Sequence, residues 1–505
     1  MNKKLLLLSL LTTNSLGVFA EKKAPNIIFI LADDLGYGDV SCLDANSKIK
    51  TTNLDRMGND GVIFTDAHSS SSVSTPTRYG ILTGRYNWRS TLKEGVLKGY
   101  SKALIHSDRQ TMASMLKKQG YATAGIGKWH LGWDWNNIDA GQDSVDFTKP
   151  VKNGPTTLGF DYFYGFCGSL DMPPYVYVEN DMPTSVPTKV CVNKGKYSHW
   201  REGLVGDDFV HEEVLPNIVT RACEYIKDKA SSDTPYFLYL PFSAPHTPIL
   251  PAPEFRGKSG LGEYGDFVLM LDAMVGRVLE AVKESGEENN TIIVFTSDNG
   301  CSPAAGINEL IKKGHHPNSV YRGNKADLFD GGHRIPCIVK WPARVKAHSV
   351  NQTICLTDFY ATFAAVNDYK LDDSEGEDSY NLLPVLFSES ELSPIREAIV
   401  SHSITGEFTI RQGNWKLLLS PSSGGWSAPR PNNKKALEGL PSMQLYNLST
   451  DVGERTNLVT KFPKKVDALK KLLLHYIDEG RSTPGLAQKN DSVTDWKQLT
   501  KLRSL

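Results

Sequence analysis

A chain of 505 residues is longer than one ordinary domain of about 150 residues and has room for a large core beside a smaller unit. Its 57 acidic and 56 basic residues leave a formal charge of −1, which excludes the broad positive field that nucleic acid or an anionic membrane surface would favour. With 40% hydrophobic and 22% charged residues, it is neither mainly disordered nor collagenous nor coiled-coil.

Residues 1–20 read as a secretory signal peptide. Lys3 and Lys4 precede an apolar run at 5–11, and Val18-Phe19-Ala20 forms a cleavage site before the polar Glu21-Lys22-Lys23. No later stretch reads as a membrane span. The expectation is an exported protein, periplasmic or extracellular, with no integral membrane segment after cleavage.

Residues 21–393 form the larger unit. The runs at 26–31, 236–240 and 291–295 are apolar on both faces, as in the buried strands of a parallel sheet. Helix candidates at 108–118, closed by Gly120, and at 267–283, closed by Gly286, alternate with them. The class is α/β, with a large, mostly parallel sheet flanked by helices. In residues 394–505 the texture changes to a smaller α+β domain. Short strands are expected at 398–403, 408–412 and 415–419, and an amphipathic helix at 464–479 carries Val466, Leu469, Leu473 and Ile477 on one face. The Ser-, Gly-, Pro- and Asn-rich stretch 420–437 reads as a long surface loop. Seven cysteines without CxxC spacing leave room for one or two disulfide bridges and at least one free thiol.

Two strands far apart in sequence each end in a pair of oxygen donors: Asp33-Asp34 before Leu35-Gly36, and Asp298-Asn299 before Gly300. Ligands of open α/β sheets bind outside the strands' carboxyl ends. Three carboxylates meeting there need a cation between them, and all-oxygen ligation favours calcium or magnesium over zinc. A further segment, Ser74-Thr75-Pro76-Thr77-Arg78, reads as a helix start with Ser74 or Thr75 at the cap and proline in the first turn.

That segment, with Thr83-Gly84-Arg85 after it, resembles the signature of the formylglycine-dependent sulfatases of the alkaline-phosphatase superfamily. The remaining motifs follow in the family's order: Gly127-Lys128-Trp129-His130-Leu131-Gly132, Ala244-Pro245-His246-Thr247-Pro248, and Lys325 with Asp330-Gly331-Gly332-His333-Arg334. Asp330 stands where glutamate is usual. Leu445-Tyr446-Asn447-Leu448, Glu454 and Asn457-Leu458 resemble the family's C-terminal domain.

The resemblance implies that Ser74 is the formylglycine precursor and a calcium ligand together with Asp33, Asp34, Asp298 and Asn299. Arg78 and Lys128 would hold the nucleophile, His130 would be the base of the second step, and His246 and Lys325 would bind sulfate and protonate the leaving oxygen. Sulfate monoesters hydrolyse extremely slowly in water, and a plain serine attacking sulfur would stop at a sulfate ester. A hydrated aldehyde has a second hydroxyl whose proton loss expels sulfate. Many members carry cysteine at this position, so serine is either the native precursor or a replacement that leaves a binding pocket without turnover. A maturation enzyme is the implied partner, and a sulfated glycan the implied substrate.

Residues 164–175 and 480–485 look like the subgroup related to galactosamine-6-sulfatase, which removes 6-O-sulfate from galactose or N-acetylgalactosamine in glycosaminoglycans and mucin glycans. Asp171 and His211 would then contact an axial sugar hydroxyl, while His315, His316 and Arg322 would reach a neighbouring residue. Trp133, Trp135 and Trp426 are candidates for a sugar platform or for buried packing. The alternatives are a sulfatase for another sulfate position, a phosphoesterase of the same superfamily, and a non-catalytic calcium-dependent lectin that uses unmodified Ser74.

Overall fold

The computed structural model describes residues 24–230, 232–390 and 392–505. The expected signal peptide lies outside the described residues. Asn26–Asp33 is a strand buried along its whole length. Ile27, Phe29 and Leu31 face one hydrophobic layer and Ile28 and Ile30 the other, as the two-residue side-chain period of a strand requires. The first layer is completed by Ile81, Leu82, Met112, Leu116, Phe359 and Phe363. The second is completed by Val219, Leu271 and Val275 from helices Val214–Ala230 and Glu263–Glu284. Truncating Phe29 to alanine at this depth would cost about 3–5 kcal/mol.

Ten strands form the central sheet. Its middle runs in the order Thr291–Ser297, Asn26–Asp33, Tyr236–Pro245, Ala122–Lys128, Tyr162–Phe166, all mutually parallel. Antiparallel neighbours flank it, Cys337–Lys340 on one side and Val178–Glu179 on the other. A second sheet of four strands, Ile399–His402, Phe408–Gln412, Trp415–Leu418 and Gln444–Asn447, is antiparallel in chain order. Helix Pro463–Asp478 covers it with Val466, Leu469, Leu473 and Ile477, and Tyr86 and Trp88 of the larger unit share that core.

Several expectations shift. The helix expected from residue 108 starts at Met112, because Thr111 caps it by accepting from Ser114 N (3.1 Å) while the Ser114 hydroxyl accepts from Thr111 N (2.8 Å). Stretch 420–437 is not simply a surface loop. Ser420, Ser422 and Ser423 are buried, and the Asp327 carboxylate accepts from Trp426 N (2.8 Å) and Ser427 N (3.0 Å). A Cβ at Gly425 would stand 2.3 Å from the Ala326 carbonyl oxygen, so only glycine lets this strap lie so close. All seven cysteines are free. Trp133 and Trp135 are core residues with rings 5.4 Å apart, whereas Trp426 is 38% exposed. Among the described residues no helix is long and apolar enough to cross a membrane.

Candidate active site

Parallel strands open their carboxyl ends on one edge, where following loops gather polar groups distant in sequence. Asn26–Asp33 delivers Asp33 and Asp34, Thr291–Ser297 delivers Asp298 and Asn299, Ala122–Lys128 delivers Lys128 and His130, Tyr236–Pro245 delivers His246, and Tyr162–Phe166 leads to Ser169 and Asp171. Asp34 and His130 hold left-handed backbone, at φ 67° and 56°, a strained state that functional sites retain.

Ser74 arrives on the fully buried helix Ser74–Thr83. Extended Val73 takes the cap position expected for Ser74 or Thr75, so Ser74 is the first helical residue. Its hydroxyl is therefore not used in capping and lies 3.3 Å from Asp33 Oδ1. Pro76 fits the first turn, where its missing N–H loses no helical bond. Gly84 at φ 63° ends the helix and donates to the Gly80 carbonyl (2.9 Å).

Buried carboxylates and cations alternate around Ser74. Lys128 Nζ reaches Asp33 Oδ2 (2.7 Å), Ser169 Oγ (2.9 Å) and Ser74 Oγ (3.5 Å). Arg78 donates through Nη2 and Nε to Asp298 Oδ2 (2.8 and 3.2 Å), and Lys325 Nζ pairs with Asp34 Oδ1 (2.7 Å). Burial would raise the Asp33 carboxyl, but Lys128, His246 and Arg78 hold it below its ordinary value. The two lysines diverge. Burial outweighs Asp33 and pulls Lys128 down, whereas Asp34, Asp33 and Asp298 overcome burial and push Lys325 up.

His130 donates Nε2–H to the Leu97 carbonyl (2.8 Å), which leaves a lone pair on the buried, unpartnered Nδ1. Burial, with Lys128 and Arg78 nearby, holds this ring well below the ordinary histidine value. His246 Nδ1 donates to the Thr247 carbonyl, and its Nε2 faces Ser169 Oγ (3.2 Å) and Asp34 Oδ2 (3.7 Å).

The donors Asp33, Asp34, Asp298 and Asn299 are all oxygen, all buried, and Asn299 Oδ1 has no partner. That set fits a hard cation such as calcium. A second group able to hold an ion, His68, Asp330 and His333, differs in having no orphaned ligand atom, its ring nitrogens and carboxylate oxygens all being partnered. Lys416 reaches Asp330 (2.7 Å) and Glu454 (2.8 Å), and Arg334 reaches Asp330 (3.2 Å). Asp330 thus ties the larger unit to the C-terminal sheet.

The expected sugar contacts separate into two places. Asp171 Oδ1 and His211 Nε2 are both buried and unpartnered. Tyr175 touches both residues, donating its hydroxyl to the Asp171 carbonyl (3.1 Å) and packing its ring against His211 at 4.5 Å. His315 does not reach out, since its ring is buried on Asp39 (2.8 Å). Arg322 donates to the Glu454 carbonyl (2.6 Å) and lies over Phe329. With exposed His316 it lines another cavity of about 780 Å³.

Comparison with known proteins bears on this geometry. A family model for sulfatases matches residues 25–369. The chain belongs to the sulfatase family. It is 34% identical over 487 residues to an N-acetylgalactosamine-6-O-sulfatase of Bacteroides thetaiotaomicron, covering 89% of this chain and 92% of that protein. It is 29% identical to human arylsulfatase A, over 92% and 90% of the two chains. A solved Bacteroides thetaiotaomicron 6S-sulfatase, described with the metabolism of multiple glycosaminoglycans, superposes with a TM-score of 0.79 at 33% identity, over 90% of this chain and 99% of that one.

This sulfatase is accordingly a sulfuric ester hydrolase. Sequence reasoning missed one residue at its centre. Ser169 bridges Lys128 and His246; it follows strand Tyr162–Phe166, but nothing in its residue type or spacing singles it out. Arg85, matched as part of the signature, lies away from this centre and bonds Tyr79 Oη (3.0 Å), Asp491 (3.1 Å) and the Lys489 carbonyl (2.7 Å).

Proposed function

We propose that this sulfatase is an exported, calcium-dependent enzyme that removes 6-O-sulfate from galactose or N-acetylgalactosamine in glycosaminoglycan or mucin glycans. The observation that carries the sugar assignment is the pair of orphaned atoms, Asp171 Oδ1 and His211 Nε2. Burial pushes the His211 ring down to about 4, so at neutral pH it is uncharged and one nitrogen can carry a proton. A single sugar hydroxyl between them would satisfy both residues, donating to the carboxylate and accepting from the imidazole. Asp171 follows Ser169, the residue that bridges Lys128 and His246, by two positions, Tyr175 touches both Asp171 and His211, and the relative is named for N-acetylgalactosamine 6-O-sulfate.

Calcium held by Asp33, Asp34, Asp298, Asn299 and the Ser74 side chain would neutralise sulfate oxygens and orient the attacking group. Ser74, once oxidised by a maturation enzyme and hydrated, supplies the nucleophilic oxygen and a second hydroxyl whose proton must leave. Its neighbours suit that chemistry. Arg78 and Lys128 provide fixed positive charge beside Ser74, and the helix start adds a favourable dipole for an anion. His130 accepts the proton at Nδ1. Lys325 binds a sulfate oxygen, and His246 presents Nε2 to the departing sugar oxygen, with Asp34 as charge partner for the protonated ring. Export rests on the pattern of residues 1–20, from Lys3-Lys4 to Ala20.

The test is an epimer pair. Leaving a buried polar group unpaired costs on the order of 1–3 kcal/mol, so 6-sulfated N-acetylgalactosamine should be favoured roughly tenfold or more over its glucosamine epimer. Equal kcat/KM on the two, or preference for 3-O- or 4-O-sulfate, would overturn the sugar assignment.

A further inference from the structure

One element of the fold joins neither main sheet. Lys189–Asn193 and Trp200–Val205 form a two-stranded antiparallel ribbon, which Tyr175 joins through a single parallel bridge to Val205. Its turn is fastened next to the catalytic histidine, because the Tyr197 carbonyl accepts from Thr247 Oγ1 (3.2 Å) and Ile249 N (2.8 Å). Two consecutive ribbon residues then meet the two residues with orphaned atoms. Trp200 stacks on His211 with ring centroids 4.0 Å apart and planes 10° from parallel. Arg201 reaches Asp171 through three bonds: Nη1 to Oδ2 (2.5 Å), Nη1 to the carbonyl (3.1 Å), and its own N to the same carbonyl (3.1 Å).

The asymmetry of that ion pair is informative. The Asp171 side chain is 8% exposed and that of Arg201 54%. A buried carboxylate needs a charge partner, and a partner that merely stabilised it would be free to bind both oxygens in a fork. Arg201 instead occupies Oδ2 alone and leaves Oδ1 buried without a donor. One oxygen is fixed and the other is held open, which is how an acceptor is prepared for an incoming hydroxyl. On the partner side, Trp200 fixes the plane of the His211 ring, and Tyr175 locks the arrangement by donating to the Arg201 carbonyl (2.6 Å) as well as to that of Asp171 (3.1 Å).

We propose that the ribbon is the specificity clamp of this sulfatase, with Arg201 the positioning residue that orients Asp171 and Trp200 the residue that orients His211 toward one sugar hydroxyl. This rests on the reading of Asp171 and His211 as the sugar contacts. Neither ribbon residue touches the sulfate-handling groups, so the clamp acts on which sugar is accepted rather than on bond cleavage. Because Arg201 is half exposed, water can replace it, and its removal should loosen Asp171 without emptying the core.

The experiment measures two things on R201Q, R201K, W200A and D171A. The first is equilibrium binding of the methyl glycosides of 6-sulfated N-acetylgalactosamine and N-acetylglucosamine to chains whose Ser74 is left unconverted. The second is kcat/KM of the matured enzyme on the 6-sulfated galactosamine and on an aryl sulfate that lacks the sugar. For R201Q the expected loss is about tenfold in binding and in kcat/KM for the galactosamine ester, mostly through KM, with the epimer ratio falling to within about threefold. The aryl sulfate should lose far less, R201K should recover part of the discrimination because it restores the charge without the fork, and W200A should narrow the epimer ratio as well. An unchanged epimer ratio in R201Q, alongside a collapsed ratio in D171A, would overturn the clamp and leave the sugar reading standing. A ratio unchanged in D171A as well would remove both. Equal losses on sugar and aryl esters in R201Q would show the ribbon to be structural only, and would also overturn the proposal.

Discussion

Replacing Ser169 by alanine tests the bridge between the two halves of the chemistry. Its hydroxyl stands 2.9 Å from Lys128 Nζ and 3.2 Å from His246 Nε2, so the variant deletes one bond to a cation and one to the proposed acid. Lys128 keeps Asp33 at 2.7 Å, and no buried ion is stranded. Bonds to charged groups contribute about 1.5–3 kcal/mol. Only the part that strengthens in the transition state affects turnover, and a loss of about 1–2 kcal/mol corresponds to roughly 5- to 30-fold in kcat/KM on a sugar sulfate. Steady-state kinetics on 6-sulfated N-acetylgalactosamine and on an aryl sulfate should show the larger loss on the sugar, because the misplaced His246 matters most when the leaving oxygen needs a proton. Activity within about twofold of the parent on both substrates would refute the bridging role.

His246→Ala should damage sugar esters far more than an activated aryl sulfate, whose leaving group departs without a proton; equal losses in a side-by-side assay would leave His246 as a binding group only. Chelation, or Asp298→Asn, should abolish turnover and lower the melting temperature, with calcium and not zinc reversing the effect of chelation; full activity and unchanged melting in excess chelator would contradict the calcium reading. Burial pushes His211 down to about 4, against about 6.5 in an unfolded chain. The unfolded state therefore binds the extra proton first: this site costs nothing above about pH 6.5, and its penalty grows to about 3 kcal/mol as pH falls to about 4. His211→Phe should accordingly flatten the fall in melting temperature between about pH 7 and pH 4.5, and a parallel fall in both proteins would refute a buried neutral His211.

The edge that gathers the oxygen donors was legible in the sequence because parallel strands impose it. An apolar run ending in Asp33-Asp34 and another ending in Asp298-Asn299 can place those donors only at the same edge of one sheet. Ser169 and Arg201 were not legible for a physical reason. Ser169 follows a strand but has no charge to mark it, and Arg201 sits in a ribbon with no buried residue, where an arginine is ordinary. Only tertiary contact gives either one a partner. Helix starts show the same limit: the residues around Ser74 announce a helix, but packing decided that Val73 would take the cap and leave the serine hydroxyl available. His315 shows the reverse case. It was expected to reach a neighbouring sugar residue, and its bonds to Asp39 (2.8 Å) and from Lys48 N (3.3 Å) hold the ring inward.

The same logic explains stretch 420–437. A run of Ser, Gly, Pro and Asn has no apolar periodicity with which to announce burial, yet Asp327 captures its backbone amides and glycine permits the close approach. Burial by hydrogen bonds rather than by side-chain hydrophobicity is invisible to a pattern that scores only apolar residues.

The most direct test of the account is sulfate release by the full chain matured with its formylglycine-generating enzyme, with conversion of Ser74 verified by intact mass. The substrates are a panel of sugars sulfated at the 3-, 4- and 6-positions, with phosphate esters included. The account predicts turnover only where Ser74 has lost two hydrogens, with calcium present, and with 6-sulfated galactose and N-acetylgalactosamine leading the panel. Release of phosphate alone, or binding of sulfated sugars without turnover by fully converted chain, would contradict it.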